Sequence, residues 1–204
     1  MVPVVVFDLG KVLVDFDYSI AARKVAARSS RKIEQLDKFL SGSPLLVQFE
    51  SGELTSGQFY SEVQKVTGFD GGADEFANYF ADIFDPMPEM VDLHAGLRRK
   101  KIPTYIFSNT NEIAVGHIRR KFPFFSGFDG YILSYEVGAM KPQAKIYDAL
   151  ENMSRRNRGD IFYIDDRAEN VEAGAARGWQ TVLHETPKKT RAALENFLSK
   201  HNGA

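Results

Sequence analysis

Short apolar runs that end abruptly in polar residues recur along the chain and predict the strands of a sheet. The first run, Val4–Phe7, is followed at once by Asp8 and, two residues later, by Gly10. A run without polar interruption is typical of a strand that is buried on both faces. Four later runs have the same character, at residues 102–107, 130–133, 161–164 and 180–183.

Segments with apolar residues three and four positions apart separate these runs and predict helices. They cover residues 112–121, 144–153, 168–177 and 188–200. Gly178, directly after the third segment, is a typical helix end. Strands that alternate with helices indicate an α/β protein with a Rossmann-like parallel sheet and helices on both of its faces.

The interval 17–92 interrupts this alternation, because it has helical periodicity and no convincing strand. Its predicted helices are residues 18–29, 32–40, 55–67 and 73–84, separated by clusters of Gly, Ser and Pro. Thr55, with Gln58 three residues later, resembles a capping box. We therefore expect an α-helical cap domain at residues 17–92, inserted after the first strand. The α/β core domain would then consist of residues 1–16 and 93–204.

The composition narrows the class of protein. The chain has 204 residues, of which 44% are apolar and 26% charged, as in an ordinary globular protein. A net charge of −1 gives no reason to expect a nucleic-acid or membrane partner. The absence of cysteine excludes disulfides and cysteine-based zinc sites. The first apolar run is too short for a signal-peptide core and no run could span a membrane, so we expect a cytoplasmic protein. The oligomeric state is left open.

Polar side chains follow the predicted strands and form the candidate site. The carboxyl ends of parallel strands lie along one edge of a sheet, so these side chains are expected to converge. Carboxylates that lie close together repel one another unless a cation intervenes, and hard oxygen ligands select Mg²⁺. The candidates are Asp8, then Ser108 and Asn109, then Lys141, and finally Asp165 and Asp166.

The same residue types suit phosphoryl transfer. A serine hydroxyl, an asparagine amide and a lysine ammonium are the groups that the oxygens of a transferring phosphoryl group need. An ionised aspartate among them can attack phosphorus and form an aspartyl-phosphate. The chemistry alone therefore points to Mg²⁺-dependent phosphoryl transfer through a covalent aspartate.

These residues also match a known family in order. Along essentially its full length the chain resembles the haloacid dehalogenase-like (HAD) superfamily, whose four motifs correspond to residues 4–12, 106–110, 141–142 and 164–170. Each motif alone is a weak signal, whereas four in order at strand ends, with a helical insertion after the first, are specific. Residues 49–55 and 108–112 are similar to the branch with bacterial glucose-1-phosphate phosphatases and the N-terminal phosphatase domain of soluble epoxide hydrolase.

The resemblance implies a set of metal-binding groups. Asp8 would be both the nucleophile and a Mg²⁺ ligand, and Gly10 would offer its backbone carbonyl to the metal. Asp166 would be a direct ligand, whereas Asp165 would bind through water or orient the ligands around it. Asn170 would support this acidic pair.

The resemblance also implies a phosphate-binding set. Ser108 and the amide of Asn109 would hold the phosphoryl oxygens. Lys141 would neutralise the phosphoryl group and hold Asp8 in place, which makes it a catalytic residue together with Asp8. The substrate would be a small phosphorylated molecule.

Position 10 departs from the family pattern. Phosphatases of the family usually carry a second aspartate two residues after the nucleophile, which protonates the leaving oxygen and then activates water. Gly10 cannot transfer a proton, and the loss of such a group typically costs about 10²–10⁴-fold in rate.

Three interpretations of Gly10 stay open. The substrate could have a leaving group that needs little protonation, as in an anomeric sugar phosphate or an acyl phosphate; the related glucose-1-phosphate phosphatases also lack this aspartate. Another group could substitute, namely Asp15, Asp17, a cap residue or metal-bound water, although the strand-like residues 12–14 would carry the two aspartates away. Third, the protein could be a catalytically weak regulatory module that binds phosphorylated ligands.

A metal-independent haloacid dehalogenase is a further alternative, since those enzymes use the same nucleophile and also lack the second aspartate. The adjacent pair Asp165 and Asp166 favours a metal and argues against it. We therefore predict a Mg²⁺-dependent phosphatase that hydrolyses small phosphorylated metabolites, with sugar phosphates as one candidate substrate class.

Other polar residues are expected to have structural roles. The basic residues between 23 and 32 fit a solvated helix face better than a surface that attracts anionic substrate. The histidines have no metal-ligand spacing and are expected at the surface or in packing; they are His94, His117, His184 and His201. The cap aromatics are expected to pack between helices.

Overall fold

A five-stranded parallel sheet forms the core of the computed structural model, which describes residues 2–32 and 34–201. The strand order is β5-β4-β1-β6-β7, and helices cover both faces, so the predicted fold class is confirmed. The sheet strands are β1 (Val4–Phe7), β4 (Thr104–Ser108), β5 (Gly130–Leu133), β6 (Ile161–Asp165) and β7 (Gln180–Leu183); a separate antiparallel pair is formed by β2 (Val14–Phe16) and β3 (Phe84–Pro86).

Eleven α-helices are assigned within the described residues. Those between β2 and β3 are α1 (Tyr18–Ala26), α2 (Leu36–Gly42), α3 (Pro44–Glu50), α4 (Ser56–Thr67) and α5 (Ala73–Ala81). Those after β3 are α6 (Pro88–Arg99), α7 (Glu112–Lys121), α8 (Ser134–Val137), α9 (Ala144–Ser154), α10 (Ala168–Ala176) and α11 (Pro187–His201).

Strand β1 occupies the centre of the sheet, which explains its uninterrupted apolar sequence. Its side chains alternate between two hydrophobic clusters, Val5 and Phe7 in the one and Val4 and Val6 in the other. All four side chains are buried because helices lie against both faces. A polar residue within this strand would therefore have no access to water.

The register of the sheet brings the strand ends together. Phe7 pairs with Ile106 on β4 and with Ile164 on β6, so the residues that follow these partners lie at one edge. The amide of Asp8 donates to the carbonyl of Ile164 at 2.8 Å, one residue before Asp165. The predicted convergence of polar side chains at this edge is a direct result of that register.

The cap helices α1–α5 pack around buried aromatic rings. The Phe49 and Phe59 rings are stacked with centroids 4.5 Å apart, and Phe80 approaches Phe59 edge-on. Phe76 is buried with them, as expected for helix–helix packing. The capping box at the start of α4 is also present, with the Thr55 and Gln58 side chains each bonded to the other's backbone.

Three features of the cap differ from the sequence expectations. The interval contains a strand, β3, which is too short to show a periodicity of its own. Helix α3 was not predicted, although Ser43 accepts from the amide of Leu46 and Pro44 occupies the first turn, both typical N-terminal signals. The predicted helix at 32–40 includes residue 33, which lies outside the described residues; the helix found there is α2.

The predicted boundary between cap and core, at residue 92, falls inside helix α6. Helix α6 runs continuously through that position and packs against β4 and α11 of the core. We propose that the β2–β3 pair marks the boundary and that α6 belongs to the core. Residues 1 and 202–204 of the predicted core domain lie outside the described residues.

No helix in the described part of the chain has both the length and the apolar character that a membrane-spanning segment needs.

His94 on α6 is a packing residue, as its sequence context predicts. Its ring stacks on Phe128 at a centroid distance of 3.8 Å, and its Nε2 lies 3.2 Å from the Thr104 hydroxyl. Burial lowers the pKa of His94 to about 4, and the nearby Arg98 charge acts in the same direction. The imidazole is therefore neutral in the folded protein at neutral pH.

The low pKa of His94 predicts a loss of stability in mild acid. His94 takes up a proton near pH 6.5 in the unfolded state and only near pH 4 in the folded state. The free energy of unfolding therefore decreases as the pH falls between these values. Between pH 7 and pH 4 the free energy of unfolding of the wild type should fall by about 3 kcal/mol more than that of His94→Phe. Urea unfolding at a series of pH values measures both, and parallel pH dependences would contradict the assignment.

Candidate active site

Asp8 is the first residue after β1 and lies at the floor of the site. Its side chain is almost fully buried. Its Oδ1 accepts a hydrogen bond from the amide of Leu9 at 2.7 Å and lies 3.0 Å from Nζ of Lys141. The central strand thus ends in a carboxylate that is held by one backbone donor and one ammonium group.

Lys141 lies between two carboxylates. Its buried ammonium is 2.6 Å from Oδ2 of Asp165 and donates to the carbonyl of Phe107 at 2.9 Å, in addition to its contact with Asp8. The backbone of Lys141 is held by Asn109, whose side chain donates to its carbonyl at 3.0 Å and accepts from its amide at 2.7 Å. Asn109 therefore positions the loop that carries the ammonium.

Asp165 at the end of β6 is buried and fully engaged. Besides Lys141, its carboxylate accepts hydrogen bonds from the Tyr163 hydroxyl and from the amide of Arg167 at 2.8 Å. Asn170 donates to both of its oxygens at 3.1 and 3.2 Å. Its neighbour Asp166 is only half-buried and faces the open cavity, so the two adjacent acids have different surroundings.

The charges in this group depend on one another. Burial raises the pKa of Asp8 to about 7 and Asp165 adds to the rise, although the Lys141 charge opposes it. Burial also acts to raise the pKa of Asp165, but the Lys141 ammonium and the hydrogen bonds outweigh it, and that pKa lies below its ordinary value. Burial lowers the pKa of Lys141, yet the two carboxylates more than reverse this, so Lys141 is charged.

Three carboxylates could hold a metal ion. Asp8, Asp165 and Asp166 each offer an oxygen, and these oxygens all lie within 4.8 Å of one another. Carboxylate oxygens are the ligands that Mg²⁺ prefers, and a site of this kind leaves room for water and substrate oxygens. The donor set therefore fits Mg²⁺, and a bound divalent cation would counteract the burial and the Asp165 charge that raise the pKa of Asp8.

A cavity of about 400 Å³ opens above these groups. Its floor comes from the core, and its walls come from the cap and from the end of β2. The floor includes Asp8, Gly10, Asn109, Lys141 and Asp166; the walls include Phe16, Tyr18, Ser41, Leu46 and Glu50. A smaller recess of about 60 Å³ is lined by Ser108 together with Gly10 and Glu50. The structure thus brings all the predicted site residues together, with Asp165 buried beneath the cavity.

The predicted basic residues of the cap are not part of this cavity. Arg28 pairs with Asp70 and Glu75, at 2.7 and 2.6 Å, and Lys24 pairs with Asp82 at 3.0 Å. These are exposed ion pairs within the cap, so a solvated helix face is the correct description of this segment.

The space beside Gly10 is occupied. A Cβ at this position would lie 2.8 Å from Cε1 of Phe16, closer than carbon atoms pack. Any side chain at residue 10 therefore requires the Phe16 ring to move. The missing aspartate of the family pattern is thus replaced by an aromatic ring from β2.

Neither aspartate near Gly10 takes the place of the missing one. Asp15 is exposed and ion-paired with Lys11, whose hydrogen bond lowers the pKa of Asp15. Asp17 caps α1 by accepting from the amide of Ser19 at 2.8 Å, and hydrogen bonds from that residue lower the pKa of Asp17. Both are ionised at neutral pH and neither lines the cavity, which agrees with the expectation that the chain carries them away.

Several site residues were not anticipated from the sequence. Tyr163 precedes Asp165 by two positions on a strand, so the two side chains share one face, and this spacing could have revealed it. Phe16, Tyr18 and Glu50 reach the cavity only through the packing of the cap, which no local pattern in the chain encodes.

Removal of the Lys141 charge should destabilise the protein, because two buried carboxylates lose their common counter-charge. In chelator, Lys141→Met should lower the free energy of unfolding by about 3–5 kcal/mol. Mg²⁺ should restore part of that loss, since it supplies positive charge to the same carboxylates. Urea unfolding with and without Mg²⁺ tests this, with Lys145→Met, a change to an exposed lysine, as the control. Equal stabilities of the two variants in chelator would refute the role of the ammonium.

A side chain at residue 10 should destabilise the protein. Gly10→Asp should lower the free energy of unfolding by about 1–3 kcal/mol, because the Phe16 ring has to leave its position. Phe16→Leu in the same chain should recover part of this loss, whereas Phe16→Leu alone should not stabilise. A double-mutant cycle by urea unfolding measures the coupling; additive effects would show that the two positions do not compete for space.

Comparison with known proteins agrees with this geometry. Residues 2–178 match the family model described as haloacid dehalogenase-like hydrolase. A D-ribitol-5-phosphate phosphatase of Bacteroides thetaiotaomicron is 25% identical over 209 residues, which cover 98% of this chain and 100% of that protein. A pyrimidine 5′-nucleotidase of Escherichia coli is 30% identical over 182 residues, which cover 78% of this chain and 79% of that protein.

The fold comparison gives the same result. The crystal structure of a HAD family enzyme from B. thetaiotaomicron, in complex with magnesium and inorganic phosphate, superimposes with a TM-score of 0.78 at 24% identity and covers 89% of this chain and 93% of that one. The predicted family, fold and hydrolase class are therefore confirmed. The chain belongs to the haloacid dehalogenase-like hydrolases.

Proposed function

We propose that this hydrolase is a Mg²⁺-dependent phosphatase, which cleaves small phosphorylated metabolites through an aspartyl-phosphate on Asp8. The observation that carries the proposal is the buried Lys141 ammonium between Asp8 and Asp165, with Asp166 beside them at the floor of one cavity. The curated relatives support the reaction type, since they are named as a D-ribitol-5-phosphate phosphatase and a pyrimidine 5′-nucleotidase.

Asp8 is arranged to act as the nucleophile. Its Oδ1 is held by the Leu9 amide and by Lys141, which leaves Oδ2 to approach phosphorus. The attack needs the ionised carboxylate, and the adjacent ammonium favours that form. Mg²⁺ held by Asp8, Asp166 and the Gly10 carbonyl would neutralise negative charge in this group and on the phosphoryl oxygens. Asp165, engaged by four donors, would orient the ligands around it.

The phosphoryl oxygens would be held by groups from two segments, the end of β4 and the loop that carries Lys141. Lys141 supplies charge, and Ser108 supplies a hydroxyl from the smaller recess. The side-chain amide of Asn109 already bonds to the Lys141 backbone. The group of Asn109 that would contact a phosphoryl oxygen is therefore its backbone N–H. Preorganised donors of this kind stabilise the charge that develops on the transferring phosphoryl group.

The cavity suits a small leaving group that carries hydroxyls. Its volume of about 400 Å³ fits a metabolite and not a polymer. Its lining includes the rings of Phe16 and Tyr18 and the polar side chains of Ser41 and Arg167. A lining that combines apolar and hydrogen-bonding groups matches a sugar or sugar-alcohol phosphate, in keeping with the D-ribitol-5-phosphate phosphatase relative.

The two alternatives have less support. A metal-independent dehalogenase has no use for three carboxylates within 4.8 Å of one another, and this group is present. A regulatory module that only binds phosphorylated ligands would not need an Asp8 oxygen that is free to attack. The substitution of Asp8 separates these functions.

Substitution of the nucleophile should abolish turnover and leave the fold intact. Asp8→Asn should reduce Mg²⁺-dependent phosphate release to background, because the amide cannot form the covalent intermediate. The assay is phosphate release from a panel of sugar, nucleotide and acyl phosphates, with and without Mg²⁺. Asp92→Asn, an exposed change on α6, is the control and should match the wild type.

Retained activity in Asp8→Asn would refute the mechanism. A wild type that binds phosphorylated ligands without releasing phosphate would favour the regulatory module instead. Halide release from 2-haloacids in the presence of chelator would favour the dehalogenase.

A further inference from the structure

Cleavage of an alkyl phosphate requires a proton donor for the leaving oxygen, and the usual position for it is closed in this chain. Gly10 has no side chain, and the Phe16 ring fills the space beside it. Asp15 and Asp17 are bound elsewhere, to Lys11 and to the start of α1. The donor therefore has to reach the cavity from another element.

Glu50 is a carboxyl group that the cap itself presents to the site. It is the last residue of α3 and lines both the main cavity and the smaller recess, in each case together with Gly10. Asp8 and Lys141 form the floor of the main cavity, and Ser108 lines the recess. Glu50 thus borders the space in which both the phosphoryl group and its leaving oxygen must lie.

The end of α3 is held firmly on both sides. The preceding residue, Phe49, is buried and stacked on Phe59 inside the cap. Two residues after Glu50, Gly52 has a φ of +79°, and a Cβ there would lie 2.3 Å from the carbonyl oxygen of Tyr135 on α8. The chain therefore passes directly against the core backbone at this point. Cap and core together determine where the Glu50 carboxyl lies.

The surroundings of Glu50 favour its protonated form. Burial raises the pKa of Glu50 to about 7, and the Asp8 charge acts in the same direction, while the Asn111 side chain and Arg167 oppose it. The Tyr18 hydroxyl, whose own pKa burial and the Glu50 charge raise, stays neutral. Lys11, Lys141 and Asp166 are the other charged groups that line the main cavity. A catalytic acid is most effective when its pKa is near the working pH.

We propose that Glu50 is the general acid and general base of this enzyme, taking the part that the missing aspartate plays in related phosphatases. The proposal rests on the phosphatase function proposed above. As Asp8 attacks and the bond between phosphorus and the leaving oxygen breaks, the Glu50 carboxylic acid gives its proton to that oxygen. In the second half, the Glu50 carboxylate takes a proton from the water that attacks phosphorus. The bond to Asp8 then breaks, and phosphate and protonated Glu50 result.

The test is the response of Glu50→Gln to leaving groups of different basicity. For primary alkyl phosphates, taken from a panel of sugar and sugar-alcohol phosphates, kcat/KM should fall by about 10²–10⁴-fold. For p-nitrophenyl phosphate, whose leaving group departs without a proton, kcat/KM should change by less than about tenfold. With that substrate kcat should still fall, and rapid mixing should show a burst of one p-nitrophenol per enzyme, because water attack on the aspartyl-phosphate has lost its base.

Matched variants separate this role from a structural one. Glu53→Gln, an exposed change three residues later, should behave like the wild type with every substrate. Glu50→Asp keeps the carboxyl group and should recover part of the alkyl phosphate activity. The activity of Glu50→Gln with p-nitrophenyl phosphate, measured on the same sample, reports that the site is folded.

Two results would overturn the assignment while the phosphatase function stands: equal losses in Glu50→Gln for alkyl and p-nitrophenyl phosphates, or no loss for either. A wild type that releases no phosphate from any of these substrates would instead refute the phosphatase function, and the Glu50 assignment would fall with it.

Discussion

The site depends on one interaction, the buried ammonium of Lys141 between the carboxylates of Asp8 and Asp165. Strands β1 and β6 are neighbours, so the register of the sheet forces these two acids together at its edge. In this largely buried region their repulsion would favour protonation or separation of the strand ends. The ammonium offsets this repulsion, and Asn109 holds the Lys141 backbone close to the two carboxylates.

The cap restricts the position of the substrate and does not hold Asp8 or Asp165. Its buried aromatic rings fix the arrangement of α3, α4 and α5, and exposed side chains tie it to the core. Ser56 on α4 donates to Glu112 on α7 at 2.6 Å, and Lys121 on α7 reaches Asp82 at 2.8 Å. The walls of the cavity are thus held against a floor that belongs to the sheet.

The residues that could be found from the sequence are those with a local pattern. Val4–Phe7 reads as a buried strand because nothing polar interrupts it, and Asp8 follows from where it ends. The chain order of the motifs, together with the rule for parallel sheets, places Lys141 and Asp165 beside it. Cytoplasmic location, the lack of nucleic-acid partners and the roles of the individual site residues stay predictions.

The features that the sequence did not reveal arise from contacts between distant segments. Phe16 fills the space beside Gly10 because β2 turns back over the site. No periodicity in the sequence indicates this turn. Glu50 is one of several acids in the cap interval, and only the placement of α3 over the core shows that it lines the cavity. Strand β3 has only three residues, and its identity comes from pairing with β2 and not from its composition.

The β2–β3 pair has a consequence for how the protein could have acquired its cap. Phe16 and Phe84 are register partners, so the two ends of the whole helical insertion lie side by side. The entropy of closing a loop rises only slowly with its length once the ends are held together. Insertions of very different length can therefore be placed between β2 and β3 without any change in the register of the parallel sheet. The β2–β3 pair allows the cap, which contacts the substrate, to diversify, while the arrangement of acids and ammonium beneath it stays the same.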